Sequence, residues 1–90
     1  MLSLGPDETE LVGEWQFVDN RRFEDDVCRR IRALITAELE FLAADSDARQ
    51  SVYRDPFDQR LWELIEGEAV PPRLRMISLA EARQKYKLAG

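Results

Sequence analysis

The feature that most constrains this chain is an apolar stripe in its first half. Between Asp26 and Ala44, apolar side chains recur every three or four residues, which is the spacing of one face of an α-helix. The stripe consists of Val27, Ile31, Leu34, Ile35, Leu39 and Leu42. We therefore predict one long amphipathic helix over residues 26–44, with Cys28 beside the stripe as a small buried hydrophobe.

A β-hairpin is predicted after this helix. Residues 50–54 and 60–65 have strand character, and they flank the sequence Asp55-Pro56-Phe57-Asp58-Gln59. Asp followed by Pro suits the first two positions of a type I turn. The second strand carries apolar residues on both faces, which indicates a central strand, and residues 74–77 indicate a third strand of the same sheet.

The C-terminal part of the chain carries a helix signal. Ser78 and Glu81 have the spacing of a capping box, in which the Ser hydroxyl accepts a hydrogen bond from the N–H three residues later. This predicts a short final helix that presents Leu79, Ala82 and Tyr86 on one side.

A period of two runs through residues 11–18. The apolar odd positions are Leu11, Trp15 and Phe17, which alternate with polar side chains as in a half-buried strand. The capping-box spacing of Asp7 and Glu10 favours a competing helix, but Gly13 weakens a helix interior by about 1 kcal/mol. The strand is the preferred interpretation.

These elements together predict an α+β fold. Asp19-Asn20 supplies turn chemistry, and residues 21–23 return as a short strand. We expect a small antiparallel sheet packed against the one long amphipathic helix, with the short C-terminal helix following. Residues 1–90 are expected to form a single domain, with residues 1–8 as a loose lead-in because Gly5-Pro6 blocks regular structure.

Charge limits the choice of partners. The 90-residue chain has a formal net charge of −5, and the excess of acid lies in residues 1–26. An acidic chain repels nucleic acid phosphates and anionic lipids, so we expect neither nucleic acid nor a membrane as partner. An anionic face can steer a basic protein. The alternative is a solvated face in which Glu24, Asp25 and Asp26 simply favour a helix N-terminus.

The compartment expected from the sequence is the cytoplasm. Cys28 is the only cysteine and cannot close an internal disulfide, and no signal peptide is recognisable. The apolar stretches are a few residues long, against the roughly 20 needed to span a bilayer.

Residue types limit the chemistry. The chain has no histidine, the commonest general base and a frequent metal ligand, and its four glycines match no phosphate-binding pattern. We therefore predict no catalytic, cofactor or metal site. Asp55, Asp58 and Glu63 remain as an alternative acid–base pair or cation site, although turn propensity explains their placement. Trp15 and Trp62 are core residues or, alternatively, exposed interface anchors.

Several motifs occur in the order found in one bacterial family. The hairpin region contains Tyr53-Arg54-Asp55-Pro56-x-Asp58-x-Arg60-x-Trp62-Glu63-Leu64, then Pro71-Pro72-Arg73-Leu74 and Ala82 to Tyr86. Upstream are Thr9-x-Leu11-x-Gly13-x-Trp15 and Asp26-x-Cys28-x-Arg30-Ile31 with Leu34. In this order the motifs resemble the immunity protein 27 family of polymorphic toxin systems. The chain departs from the family pattern at Ala48-Arg49, at Gln59 and in the short 65–70 loop.

The resemblance implies an immunity protein that binds and neutralises a cognate toxin domain, and it implies no catalytic residue. The alternative is a non-catalytic adaptor or regulatory subunit that binds another protein. Both hypotheses leave the oligomeric state open. The residues expected to contact the partner are Glu24, Asp25, Asp26, Asp55, Asp58 and Glu66.

Overall fold

The computed structural model describes residues 4–45, 49–67 and 70–86. The strands there are β1 (Glu10–Val12), β2 (Trp15–Val18), β3 (Arg21–Glu24), β4 (Glu40–Asp45), β5 (Gln50–Arg54), β6 (Leu61–Ile65) and β7 (Arg73–Ile77). The helices are α1 (Asp26–Ala33), which continues as a π-helical turn over Leu34–Glu38, and α2 (Leu79–Tyr86). A five-stranded antiparallel sheet has the order β1-β7-β6-β5-β4, and β2 pairs with β3 in a separate hairpin. The predicted α+β fold is confirmed.

The large sheet is covered on both faces. Alternate residues of β6 point to opposite sides, so Trp62 and Leu64 face α1 while Leu61 faces α2. The cluster on the α1 side comprises Leu4, Leu11, Ile31, Leu34, Leu39, Trp62, Leu64 and Leu74. The cluster on the α2 side comprises Val52, Leu61, Ile77, Ala82 and Tyr86. Burial on both faces explains why β6 is apolar at almost every position, as predicted for a central strand.

The first helix is shorter than predicted. It ends at Glu38, and residues 40–45 form an edge strand on β5 instead of two more helical turns. Leu39 is already extended, although its N–H still donates to the Leu34 carbonyl at 2.8 Å. Leu42, which was assigned to the helical stripe, packs on the α2 side of the sheet. The prediction of a helix to Ala44 was wrong because long-range pairing with β5 satisfies this backbone.

Gly13 divides the predicted 11–18 strand into two strands that belong to different sheets. A Cβ atom at this position would lie 2.5 Å from Cys28 Sγ and 2.6 Å from the Pro72 carbonyl oxygen, so only glycine fits. Before it, Leu11 is buried in the large sheet. After it, Phe17 is 69% exposed, so the expectation that Phe17 faces a core was wrong.

The C-terminal hairpin and helix follow their local signals. β5 and β6 pair antiparallel, although β6 begins at Leu61 instead of residue 60, and β7 joins them. The Ser78 hydroxyl accepts a hydrogen bond from the Glu81 N–H at 3.1 Å, as the capping spacing predicted. Ala82 and Tyr86 are buried, but Leu79 is 51% exposed. The prediction that Leu79 shares the buried side of α2 was therefore wrong: Leu79 is the first residue of the helix and lines the groove beside it.

The segment before β1 contacts the body of the protein. Leu4 is buried, and the Arg60 guanidinium donates to the carbonyl oxygens of Gly5 and Glu8 at 2.9 and 2.7 Å. Residues 1–3 lie outside the described residues, and the loose lead-in and the single domain stay predictions. In the described ranges, no helix is long and apolar enough to cross a membrane.

Candidate partner-binding surface

Asp25 caps α1 and ties it to the hairpin. Its carboxylate accepts hydrogen bonds from the Cys28 N–H at 2.8 Å and from the Glu14 N–H at 3.1 Å. Its own N–H donates to the Glu14 carbonyl at 3.1 Å. The hydrogen bond from the Cys28 backbone is the main reason that the pKa of Asp25 lies below its ordinary value. This side chain is therefore committed to the fold at the junction between hairpin and helix.

Glu24, Asp26 and Glu66 lie around the same junction. Arg32 Nε donates to Glu24 Oε1 at 2.8 Å, and Arg32 Nη1 lies 3.4 Å from Glu66 Oε2. The guanidinium of Arg32 holds the pKa of Glu24 below its ordinary value. Asp26 pairs with Arg29 across one helical turn, with its side chain 94% exposed. Arg32 thus brings together two carboxylates that are far apart in the sequence.

Asp55 and Asp58 lie in the β5–β6 turn, where they organise the backbone. Asp55 is buried, and its carboxylate accepts from the Phe57 N–H at 2.9 Å. The Asp58 carboxylate accepts from the Arg60 N–H at 3.0 Å and from Arg60 Nε at 2.6 Å. Burial acts to raise the pKa of Asp58, but these hydrogen bonds outweigh it and the pKa is lowered.

The predicted contact residues therefore fall into two groups. Asp58 precedes β6 and Glu66 follows it, and a five-residue strand spans about 16 Å. One group, which we call the acidic neck, consists of Glu24, Asp25, Asp26 and Glu66. The other consists of Asp55 and Asp58 in the β5–β6 turn. The neck exposes more of its carboxylate surface, because Asp55 is buried within its turn.

Glu63 is the most completely buried charged residue described. It lies in the middle of β6 on the α2 side, fully enclosed. Its carboxylate accepts from Arg75 Nε at 2.8 Å, from Lys85 Nζ at 2.7 Å and from the Tyr86 hydroxyl at 2.7 Å. Burial acts to raise the pKa of Glu63, but these donors outweigh it and lower the pKa. Burial also raises the pKa of the Tyr86 hydroxyl.

This environment gives Glu63 a structural role in fixing α2 to the sheet. Arg75, Lys85 and Tyr86 each donate to its carboxylate, whereas Asp55 and Asp58 are engaged in the turn. A groove of about 900 Å³ beside α2 is lined by residues such as Leu61, Met76 and Leu79, and by none of the three carboxylates. Within the described ranges, no group of three or more Cys, Asp or Glu residues is placed to hold a metal ion.

The hairpin of β2 and β3 is the main apolar surface that the sequence reasoning missed. Phe17, Val18 and Phe23 are 69%, 57% and 48% exposed. The register places Phe17 opposite Arg22, beside Trp15, while Val18 and Phe23 lie on the other side. The Arg22 guanidinium stacks over the Trp15 ring at 3.9 Å, so Trp15 is half-buried by the hairpin itself. The sequence does contain a signal for this hairpin: Gly13 on one side and the turn residues Asp19-Asn20 on the other delimit a short strand.

The fold and this surface define a small α+β protein whose β2–β3 hairpin exposes apolar side chains next to the acidic neck. The family model of immunity protein 27 matches residues 17–78. The match covers more than half of the chain, and the protein belongs to this family. Searches of curated proteins and of solved structures gave no match. The motif segments at residues 9–15 and 82–86 lie outside the matched range.

Proposed function

We propose that this protein binds a cognate polymorphic toxin domain stoichiometrically and neutralises it in the cytoplasm of the producing cell. The observation that carries the proposal is membership of the immunity protein 27 family over residues 17–78. An inhibitor that acts by occupying a surface needs complementary shape and charge but no reactive group. The engagement of Glu63, Asp55 and Asp58 in structural hydrogen bonds supports this role over carboxylate catalysis.

The acidic neck is proposed as the electrostatic part of the contact. Among its members, Asp26 and Glu66 offer the most accessible carboxylates, because Asp25 is used as the helix cap. Charges at the rim of an interface mainly raise the association rate, and their effect is screened by salt. The neck therefore suits a toxin with a basic surface, and the proposal excludes Asp58 in the β5–β6 turn from the electrostatic contact.

Co-expression tests the neutralisation. The toxin domain encoded beside this gene should arrest growth when expressed alone and should not arrest it when this protein is present in equal amount. The two proteins should also elute together from gel filtration at a 1:1 ratio. Equal toxicity with and without this protein, and separate elution, would overturn the proposal in favour of an adaptor with a different partner.

Charge reversal tests the neck against the turn. Asp26→Lys and Glu66→Lys should each slow association with the toxin by about tenfold at low salt and have little effect at high salt. Asp58→Lys is the matched control at the opposite end of β6 and should leave the rate unchanged. A large effect of Asp58→Lys alone would move the electrostatic contact to the β5–β6 turn.

A further inference from the structure

The β2–β3 hairpin carries apolar side chains that belong to neither core cluster. Phe17, Val18 and Phe23 are each about half exposed or more, and they lie on both sides of a two-stranded sheet. A side chain that stays in water contributes little burial energy to folding. Isolated two-stranded hairpins are also marginal in water unless something supports them. Exposed apolar clusters of this kind mark sites that a partner covers.

The base of the hairpin is firmly attached to α1. The Glu14 carbonyl accepts from the Asp25 N–H at 3.1 Å and from Cys28 Sγ at 3.4 Å. The Glu24 carbonyl accepts from Arg29 Nη1 at 2.8 Å. These bonds fix both strands where they leave the body of the protein.

The tip of the hairpin is equally well defined. Val18 pairs with Arg21, so only Asp19 and Asn20 form the turn, with φ values of 52° and 66°. Two positive φ values in a two-residue loop identify a type I′ turn, whose twist matches the strands. A hairpin with a fixed base and a tight turn presents its aromatic side chains on a backbone that need not be ordered on binding, which lowers the entropic cost of association.

The charges around the hairpin indicate the kind of partner. Residues 14–26 and Glu66 carry six carboxylates, and the guanidinium groups of Arg21, Arg22, Arg29 and Arg32 offset four of them, which leaves a net charge of −2. Of these carboxylates, neither Glu14 nor Asp19 forms an ion pair within the part of the chain that the structure describes. A second copy of this chain would bring like charges together, and an anionic membrane would be repelled. The hairpin itself, residues 15–24, carries two acids and two bases and is neutral, so a basic protein surface complements the acidic neck at its base.

We propose that the β2–β3 hairpin is the principal docking element of this protein, and that it inserts Phe17 and Phe23 into an apolar cleft with a Lys- and Arg-rich rim on the toxin. The inference rests on the proposed function, because the toxin supplies the cleft. The aromatic side chains provide the apolar contact, and the acidic neck faces the basic rim. Few residues carry most of the binding energy in protein interfaces, and aromatic anchors are prominent among them.

The test compares three aromatic substitutions in the full chain, with the toxin domain encoded beside this gene as the probe. Phe17→Ser and Phe23→Ser should each raise Kd by about 30-fold or more, because each removes an interface anchor. Phe57→Ser is the matched control, since Phe57 is 82% exposed in the β5–β6 turn at the other end of β6. It should change Kd by less than about threefold, a small fraction of a hot-spot effect.

Folding and self-association are measured on the same variants. All three should keep the far-UV circular dichroism spectrum and unfolding midpoint of the wild type, because the replaced side chains are exposed. If the wild type binds toxin and neither Phe17→Ser nor Phe23→Ser weakens binding, the hairpin inference is wrong while the proposed function stands. If the wild type does not bind, both fail. A wild-type dimer that Phe17→Ser converts to monomer would assign the hairpin to self-association and overturn toxin docking.

Discussion

Strands β6 and β2 have similar sequences but opposite surroundings. Each has a tryptophan and apolar side chains on both faces, yet Trp62 is fully buried whereas Phe17 is 69% exposed. β6 lies between β5 and β7, with helices over both faces of the sheet, whereas β2 has only β3 beside it. The burial of a strand therefore depends on what flanks it as much as on its own pattern.

The difference in burial between β6 and β2 assigns them different roles: the apolar side chains of β6 stabilise the fold, and those of β2 are available for binding. Burying a large apolar side chain is worth roughly 1.5–3 kcal/mol. In β6 this free energy is realised when the chain folds. In the hairpin it remains available until a partner covers the side chains. The following predictions test this division, beginning with the largest effect.

Replacement of the two tryptophans should give very different losses of stability. Trp62→Ala should lower the free energy of unfolding by about 3–5 kcal/mol, because it empties the centre of the α1-side core. Trp15→Ala should cost about 1 kcal/mol or less, since Trp15 is only half-buried and its ring stacks with Arg22 on the hairpin surface. Denaturant titration of both variants measures the difference. Equal losses would show that the hairpin contributes to the core.

Loss of the Glu63 charge should release α2. Glu63→Gln should cost about 3 kcal/mol, because it leaves the Lys85 and Arg75 charges without their buried partner. Glu81→Gln is the control: it removes a carboxylate that also pairs with Arg75 but is 41% exposed, and should cost below about 1 kcal/mol. Thermal unfolding of the two variants provides the comparison. A larger loss for Glu81→Gln would contradict the role assigned to Glu63.

Acid should weaken the attachment of the segment before β1. Hydrogen bonding to Arg30 lowers the pKa of Glu8 to about 2, against an ordinary value of 4.5. Because the pKa in the folded state is the lower one, the stabilisation is complete above about pH 4.5 and is lost as the pH falls toward 2. Glu8→Gln and Arg30→Gln should both reduce this acid-dependent loss of unfolding free energy. Curves of stability against pH that run parallel to the wild type would exclude the Glu8–Arg30 pair as its source.

The smallest effect is expected at the hairpin turn. Asn20 has a φ of 66°, which a β-branched side chain tolerates poorly. Asn20→Val should therefore cost about 1 kcal/mol of hairpin stability, whereas Asn20→Gly should be neutral within about 0.5 kcal/mol. Amide hydrogen exchange should locate the change in β2 and β3, with β6 unaffected. Faster exchange in β6 would show that the hairpin and the large sheet unfold as one unit.

Local signals predicted the C-terminal half of the fold well. The Asp55-Pro56 turn, the strands on either side of it and the Ser78 cap each depend on neighbouring residues, and all are present. The end of α1 was not predictable in the same way. Leu39 and Leu42 fit a helical period, but the backbone of residues 40–45 pairs with β5, a contact that local periodicity does not encode.

The candidate surface was less predictable than the fold. Composition identified the acidic residues around α1, but their pairing depends on Arg32, which is 8 residues from Glu24 and 34 from Glu66. The exposed hairpin could not be predicted from alternation, because alternation implies a buried face without showing what covers it. The change of sheet occurs at Gly13, which lies in close contact with Cys28 and Pro72. β1 before it belongs to the large sheet, and β2 after it belongs to the hairpin.

The contrast between the two tryptophans gives the protein a built-in optical reporter. Indole emission shifts to longer wavelength as the ring meets water, so enclosed Trp62 should emit at the blue end of the spectrum and half-buried Trp15 at the red end. The long-wavelength part of the emission should then follow the hairpin, while the short-wavelength part follows the fold. Partner capture and unfolding could be distinguished in one cuvette, without an attached dye.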